Sequence, residues 1–506
     1  MEDNPSLHKV EVGFYFVTCV CGIFYSTYQL YLAGSFFDYF DDIHDDFSTG
    51  WSWIGRKKDV SDHEWAAMVP FLRIFIPWVI LHLLISNFIK YLQLNRTVDL
   101  SILCCWYITI SLAFLWTYIG VPGVIFMLIQ PCIVCLLISI RNLPLIYFAE
   151  LGLVFLYHYK PLMSLVREDW LQMDSNWDYL LTVSTFWVQL RSTSCAIDNV
   201  KIYRHKSLQG FLKNFIETTA YCLYFPTLFM GPFFLYEDFH KGINRPNKWT
   251  LSRLIITALN LLRFSFWILF TEIFAHFLYI TAFKYQPQAV EKFNSWAFFG
   301  FGYWMGQYLC NKYVIFYGLP GEFTRADNIN APPPPKCIGR IFLYSELWRE
   351  FDRGLYLFLV KYIYSPIISY KSSLSKLFAS MLTFSFVYVW HGPRDFVLVW
   401  SALSFFGVTV ERIARSIGKS PAYNKIINKY LSPQMNRRLN CYLTTHLFII
   451  TASASFYFLG RMEIGNLYLY RAFCDPLPVI IIRSLIIYTG SQISVEIKNY
   501  YKKKLS

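Results

Sequence analysis

Residues 378–411 read FASMLTFSFVYVWHGPRDFVLVWSALSFFGVTVE, an apolar stretch that is interrupted near its middle. From the start of this stretch to His391 the chain would form only about 20 Å of helix, whereas a full crossing of a bilayer needs about 30 Å. Gly392 and Pro393 then end the helix, and a second apolar run follows. The pattern predicts a helix break inside a membrane with His391 at the break. An ionisable side chain at that depth is costly, which favours a functional role.

The rest of the chain is similarly apolar. Of its 506 residues, 55% are hydrophobic and only 16% are charged, and the mean hydropathy is +0.35. Soluble proteins carry about 25% charged residues, so much of this surface is expected to face lipid. Candidate spans lie at 12–34, 67–89, 100–118, 120–141, 144–166, 179–197, 213–235, 252–284, 295–318, 378–411, 443–460 and 474–494. We predict an all-α polytopic integral membrane protein, one membrane domain over 1–506, with about eight to eleven full spans plus re-entrant segments.

Positive charge is concentrated in two segments. The formal net charge is +13, and Lys and Arg crowd residues 411–440 and the tail at 495–506. The positive-inside rule predicts that both segments are cytosolic. A nucleic-acid partner is not expected, because no basic and aromatic platform lies outside the membrane stretches. Lys503 and Lys504 match a dilysine retrieval signal of endoplasmic reticulum membrane proteins, and an ordinary solvated basic tail is the alternative.

Two further segments are too polar to span. Residues 36–66 contain Asp38, Asp41, Asp42, Asp45 and Asp46 and are predicted to form a structured loop after the first span. Residues 325–364 contain four consecutive prolines at 332–335, which favour an extended conformation. An amphipathic helix is then predicted over 342–364. Its charged stripe consists of Glu346, Arg349, Glu350 and Arg353.

Asp352 lies outside that stripe, at the edge of the apolar face of the predicted helix. Burial of a carboxylate there raises its pKa unless a cation is near. The structural alternative is a surface carboxylate that pairs with Lys361. His391 is one of five histidines in apolar runs; the others are His82, His158, His276 and His446. Each of those four is compatible with a core position, and only His391 combines depth with a helix break.

The polar motifs resemble those of the membrane-bound O-acyltransferase (MBOAT) family. They are WREFDRGL at 348–355, YSP at 364–366, WHG at 390–392 and GVTVE at 407–411. Asp352 precedes His391 by 39 residues, which matches the residue types and spacing of the family. The chain is most similar to the Hedgehog acyltransferase branch. That similarity rests on GRKKD at 55–59 before Glu64-Trp65, YCLY at 221–224 before GP at 231–232, and FLG at 458–460.

The resemblance implies an MBOAT-type helical bundle with a central tunnel and the activity of a protein-cysteine N-palmitoyltransferase. Palmitoyl-CoA would be the donor, and the N-terminal cysteine amine of a secreted Hedgehog-type protein would be the acceptor. Asp352 and His391 would be catalytic, Trp348 and Arg349 would bind acyl-CoA, and Cys337 would ligate a haem iron.

Several alternatives to this reading remain open. A related enzyme would O-acylate a Wnt serine or a lipid, and a non-enzymatic transporter or scaffold would need neither Asp352 nor His391. Cys337 would instead be a free or S-acylated thiol at the membrane interface.

Overall fold

Helices account for nearly all of the regular structure. The computed structural model describes residues 5–38, 46–94, 99–202, 208–245, 249–368 and 372–505, so Asp41, Asp42 and Asp45 of the acidic loop lie outside the described residues. The helices are α1 Lys9–Ala33, α2 His63–Leu94, α3 Leu100–Ile140, α4 Leu143–His158, α5 Lys160–Ser164, α6 Ser175–Ile202, α7 Leu208–Cys222, α8 Tyr236–Asn244, α9 Leu251–Phe274, α10 Ile280–Lys284, α11 Pro287–Glu291, α12 Ser295–Ala326, α13 Tyr344–Phe351, α14 Arg353–Phe358, α15 Ser365–Ile367, α16 Ser373–Trp390, α17 Asp395–Gly418, α18 Pro421–Tyr430, α19 Pro433–Cys474 and α20 Leu477–Leu505.

Short irregular elements connect these helices. Single 3₁₀ or π turns lie at Gly34–Asp38, Leu165–Leu171, Phe225–Thr227, Ile338–Arg340 and Leu359–Tyr364. Two strands, β1 (Phe47–Ser48) and β2 (Lys58–Asp59), pair antiparallel, with Phe47 opposite Asp59. These two strands lie within the predicted loop at 36–66.

Eight helices in the described part of the chain are long and apolar enough to cross a membrane: α1, α2, α3, α9, α16, α17, α19 and α20. This number is the lower end of the predicted range. The candidate spans at 179–197 and 295–318 correspond to α6 and α12. Most side chains of both helices are buried against other protein segments, since their polar residues need protein partners.

The helices α3 and α19 are each too long for one crossing, and each contains a break. The 41 residues of α3 would make a continuous helix of about 60 Å, twice the membrane core of about 30 Å. Gly120, with φ 82°, interrupts α3, and Arg461, with φ 61°, interrupts α19. The sequence predicted a boundary next to Gly120, between the candidate spans at 100–118 and 120–141. The candidate span at 443–460 ends just before Arg461, but the helix after that break was not predicted.

The candidate span at 213–235 is wrong, because the helix there ends early. α7 stops at Cys222 and the chain continues as irregular backbone. The guanidinium of Arg191, on α6, donates hydrogen bonds to the carbonyls of Cys222 and Tyr224 at 3.2 and 3.4 Å and to the Thr227 hydroxyl at 2.6 Å. Non-helical backbone is stable inside a membrane protein only when protein groups satisfy it in this way.

The predicted continuous helix at 342–364 is also wrong. Asp352 has non-helical backbone angles (φ −122°, ψ 87°), and it separates α13 from α14. Its carboxylate accepts a hydrogen bond from the Leu355 N–H at 2.8 Å and so caps the start of α14. The predicted charged stripe does form ion pairs, since Arg349 contacts Glu350 at 2.9 Å. Because of this break, Asp352 lies between two helices and not on the face of one continuous helix.

A buried carboxylate anchors the end of α12. Asp327 accepts hydrogen bonds from Tyr107 at 2.6 Å and Tyr224 at 2.9 Å and forms an ion pair with Lys90 at 3.0 Å. Burial alone would raise the pKa of Asp327, but Lys90 and the hydroxyl donors hold it well below its usual range. This network fixes α12 against α2 and α3.

Both ends of the chain meet the basic segment at one end of the bundle. Arg437, in the first turns of α19, donates to the Pro5 carbonyl at 2.8 Å and forms an ion pair with Glu496 at 2.5 Å. Arg438 pairs with Glu11 at 2.7 Å. The two predicted cytosolic segments therefore lie on the same side, as the prediction requires.

Candidate active site

A cavity of about 820 Å³ lies between the helices. Its wall is formed by residues of α1, α2, α4, α6, α12, α13, α14, α19 and α20 and of the α16–α17 junction, among others. Pockets for small molecules and cofactors usually measure about 300–1,000 Å³. Most lining side chains are aromatic or aliphatic, which suits an aliphatic chain. Apart from tyrosines and cysteines, the ionisable residues in the described wall are Glu64, His158, Asp352, His391 and Arg483.

His391 lies at the predicted helix break. α16 ends at Trp390, α17 begins at Asp395, and Gly392 adopts a left-handed conformation with φ 99°. The Nδ1–H of His391 donates to the carbonyl of Val387 at 2.9 Å. This bond fixes the neutral tautomer in which Nε2 carries a lone pair. Among the described residues Nε2 has no hydrogen-bond partner, so it is available to accept a proton.

The imidazole of His391 is held by aromatic rings. Trp390, Trp400 and Phe458 contact it edge to face, with ring centroids 4.8, 5.2 and 5.4 Å away. No described carboxylate contacts the ring. Because an apolar surrounding disfavours the imidazolium, the neutral, proton-accepting form is expected at rest.

Asp352 lies at the second helix break in the wall. One carboxylate oxygen accepts the Leu355 N–H, and the other accepts the Tyr317 hydroxyl at 3.0 Å. Burial raises the pKa of Asp352 above its usual range, although these two donors oppose the shift. The neighbouring Gly354 packs directly on the Phe233 carbonyl, where a Cβ would come within 2.1 Å. The turn that presents Asp352 therefore needs glycine at that position.

The structural alternative for Asp352 is wrong. Lys361 pairs with Asp198 at 2.9 Å and with Glu237 at 3.4 Å instead. Within the described residues, no cation forms an ion pair with Asp352. The Asp352 carboxylate therefore lines the cavity without a cationic partner among the described residues. This arrangement is expected of a group that binds a ligand.

Asp352 and His391 share the cavity but do not form a hydrogen bond with each other in the described structure. Aromatic contacts connect their segments. Trp348, one turn before Asp352, stacks on Trp400 at 5.2 Å, and Trp400 contacts His391. The two groups are thus separate ionisable side chains in the wall of one cavity.

The two residues predicted to bind acyl-CoA are placed differently. Trp348 lines the cavity. Arg349 does not line it, and its guanidinium pairs with Glu350 on the charged face of α13. A contact of Trp348 with the acyl donor therefore fits the geometry, whereas Arg349 would have to contact a part of the donor outside the cavity.

Cys337 and the C-terminal lysines lie outside the cavity. Cys337 is exposed, and its thiol lies 3.5 Å from the side-chain oxygen of Gln307. Among the described residues, no group of three or more His, Cys, Asp or Glu could hold a metal ion. Lys503 and Lys504 are exposed in the last turn of α20.

Sequence reasoning missed two polar residues of the site. Tyr317 lies in an apolar helix and carries no sequence signal beyond its hydroxyl. Glu64 lines the cavity and contacts Lys312 at 2.7 Å and the Tyr313 hydroxyl at 3.2 Å. The motif at 55–65 contained Glu64 and indicated that the loop mattered, but it did not show that this carboxylate reaches the cavity.

The family profile of MBOAT, the membrane-bound O-acyltransferase family, matches residues 135–454, a range that includes Asp352 and His391. The chain belongs to this family. It is an acyltransferase, and the transporter or scaffold alternative is therefore set aside.

Full-length relatives extend the similarity beyond the family core. The protein-cysteine N-palmitoyltransferase Rasp of Drosophila melanogaster is 28% identical over 496 residues, covering 94% of this chain and 92% of Rasp. The protein-cysteine N-palmitoyltransferase HHAT of Mus musculus is 26% identical over 431 residues, covering 84% and 85%. The membrane-bound O-acyltransferase GUP1 of Millerozyma farinosa is 26% identical over 208 residues and covers only 41% of each chain.

Proposed function

We propose that this MBOAT enzyme transfers palmitate from palmitoyl-CoA to the N-terminal cysteine amine of a secreted Hedgehog-type protein, forming an amide. The observation that carries the proposal is one apolar cavity with Asp352 and His391 in its wall. The apolar wall suits the acyl chain, and the two proton acceptors suit an amine nucleophile. Two relatives that cover most of the chain are named protein-cysteine N-palmitoyltransferases.

The proposed chemistry must remove two protons from the attacking nitrogen. A free α-amino group has a pKa of about 7.7–8.0 and is mostly an ammonium at neutral pH. Asp352 binds this ammonium and accepts its first proton, a role favoured by the raised pKa of the carboxyl group. As the nitrogen bonds to the thioester carbon, His391 Nε2 accepts the second proton. The C–S bond breaks, and His391 returns that proton to the CoA thiolate. Asp352 later releases its proton to water.

Two tryptophans of the wall are candidate donors for the thioester oxygen. The indole N–H groups of Trp187 and Trp390 are buried and have no acceptor among the described residues. An unpaired buried donor costs about 1–3 kcal/mol, and both residues line the cavity. A carbonyl oxygen of the bound acyl donor would satisfy such a group and would be stabilised as negative charge develops on it.

A peptide assay tests the proposed function. Purified protein with labelled palmitoyl-CoA is expected to label a peptide that has a free N-terminal cysteine, because the α-amine is the nucleophile. Neutral hydroxylamine should leave the label in place, since it cleaves thioesters and not amides. The measurement is label on the peptide before and after hydroxylamine.

The acetylated peptide is the matched control, because it keeps the thiol and the sequence and loses only the amine. Continued labelling of the acetylated peptide would overturn the amide proposal. A hydroxyl acceptor would then be tested with a serine-bearing Wnt-type peptide, and labelling of lipid without peptide would identify lipid acylation.

We also propose that the enzyme resides in the endoplasmic reticulum membrane. Lys503 and Lys504 are exposed at the end of α20, where a retrieval receptor can reach them. The ion pair between Arg437 and Glu496 places α20 beside the basic segment that the positive-inside rule assigns to the cytosol.

Cys337 is proposed as a haem ligand on chemical grounds. Its exposed thiol fits a single axial thiolate ligand, although it lies outside the cavity, so no step of the transfer depends on it. Purified protein is expected to show a Soret band, and Cys337→Ala should remove it. The measurement is the Soret absorbance of the wild type and of Cys337→Ala after haem supplementation. Cys474→Ala is the control, because Cys474 is also exposed. A band that persists in Cys337→Ala would exclude this ligand.

A further inference from the structure

His158 is the last residue of α4, and it lines the same cavity as His391. Its imidazole Nε2–H donates a hydrogen bond to the carbonyl oxygen of Trp390 at 3.2 Å. Trp390 ends α16 and directly precedes His391. A side chain from α4 therefore holds the helix end that presents His391 to the cavity.

This contact satisfies a carbonyl that the helix break leaves open. The last carbonyls of any helix lack partners within the helix, and inside a membrane protein they must find partners in the protein. The carbonyls of Val387 and Val389 are satisfied within the turn itself. The carbonyl of Trp390 instead depends on His158, which is its hydrogen-bond partner from another helix.

The ring of His158 is also in contact with the turn after His391. Gly392 has φ 99°, and a Cβ at that position would lie 3.3 Å from Cε1 of His158. On its other side the ring packs against Phe186, with ring centroids 5.0 Å apart. The imidazole is thus held between α6 and the break, where a small movement of its ring would move the backbone of residues 390–392.

We propose that His158 is a positioning residue for His391. Its Nε2–H holds the Trp390 carbonyl, which sets the orientation of the turn and so the direction in which His391 Nε2 faces the acyl donor. The inference rests on the proposed function, in which His391 accepts the proton of the amine. A misplacement of about 1 Å can lower a rate by about 100-fold. We therefore expect loss of this hydrogen bond to lower kcat and to leave KM nearly unchanged.

Three substitutions separate donation from packing. His158→Phe keeps a ring against Phe186 and removes the donor. His158→Gln removes the ring and places an amide N–H2 near the position of Nε2. His158→Asn carries the same amide on a shorter side chain that cannot reach the Trp390 carbonyl. The measurements are kcat and KM for palmitoyl-CoA with the cysteine peptide, together with thermal unfolding of each variant.

His158→Phe and His158→Asn are expected to lower kcat about 10- to 100-fold with KM within about twofold, while His158→Gln restores most of kcat. Unchanged kcat in His158→Phe would overturn the inference. Equal losses in the Gln and Phe variants would show that only ring packing matters, and a change confined to KM would show that His158 contacts substrate instead. The proposed function is tested separately in the same assay, because wild-type protein that does not label the cysteine peptide would refute it. A fully active His391→Ala enzyme would refute only the role of His391, whatever position 158 does.

Discussion

His391→Ala is expected to lower kcat for peptide palmitoylation by about 100-fold or more, because positioned general acid–base groups contribute about 10²–10⁴-fold. The Nδ1–H bond to Val387 leaves Nε2 as the only acceptor on the ring. Alanine removes that acceptor and cannot return a proton to the CoA thiolate. Initial rates with saturating labelled palmitoyl-CoA and cysteine peptide measure the effect.

His446 provides a matched control for this substitution. Its Nδ1 donates to the Tyr442 carbonyl at 2.9 Å, the same local contact that His391 makes, but the side chain is exposed and outside the cavity. His446→Ala is expected to retain wild-type rates. If His391→Ala also retained at least half of the wild-type rate, His391 would not be the proton acceptor.

The position of His391 was predictable because it depends on local chemistry. The Gly-Pro pair that follows it cannot continue a helix. The expectation that too few residues precede His391 for a full crossing was wrong, because α16 begins at Ser373 and is long enough to span a membrane. The break at Gly120 lies next to the predicted boundary between the candidate spans at 100–118 and 120–141, whereas the continuation of α19 beyond Arg461 was not predicted. Local signals of this kind need no knowledge of tertiary contacts.

The features that the sequence did not reveal depend on distant partners. Helical periodicity placed Asp352 inside a continuous helix, whereas its carboxylate caps a new helix and also accepts the Tyr317 hydroxyl from α12. The irregular backbone after Cys222 is satisfied by Arg191, which is 31 residues away in sequence. Periodicity describes one helix at a time, so it cannot predict a hydrogen bond that arrives from another helix.

Asp352→Asn is expected to lower kcat/KM by about 100-fold or more, because the amide can neither bind an ammonium strongly nor accept its proton. The substitution keeps the side-chain shape and an oxygen that can still cap α14. Loss of activity would therefore report the missing charge and not a missing cap. Rates at subsaturating peptide measure kcat/KM, and Asp174→Asn is the control, since Asp174 also accepts backbone N–H groups but is exposed.

Stability should move in the opposite direction from activity in Asp352→Asn. Burial raises the pKa of Asp352 in the folded protein, so the folded state binds the proton more tightly than the unfolded state, where the pKa is about 3.9. Folding stability contributed by this group is then present at low pH and is lost as pH rises through the raised pKa. At neutral pH the ionised carboxylate is therefore a cost that asparagine removes.

Thermal unfolding at several pH values tests this sign. The melting temperature of Asp352→Asn is expected to equal or exceed that of the wild type at pH 7.5. As pH falls towards 4, the melting temperature of the wild type should rise relative to that of the variant. Other titrating groups cancel in this difference because both proteins share them. A variant that loses activity and stability together at neutral pH would show that the charge of Asp352 stabilises the fold. Lost activity with retained stability is the behaviour of a carboxylate that serves catalysis and lowers the stability of the fold.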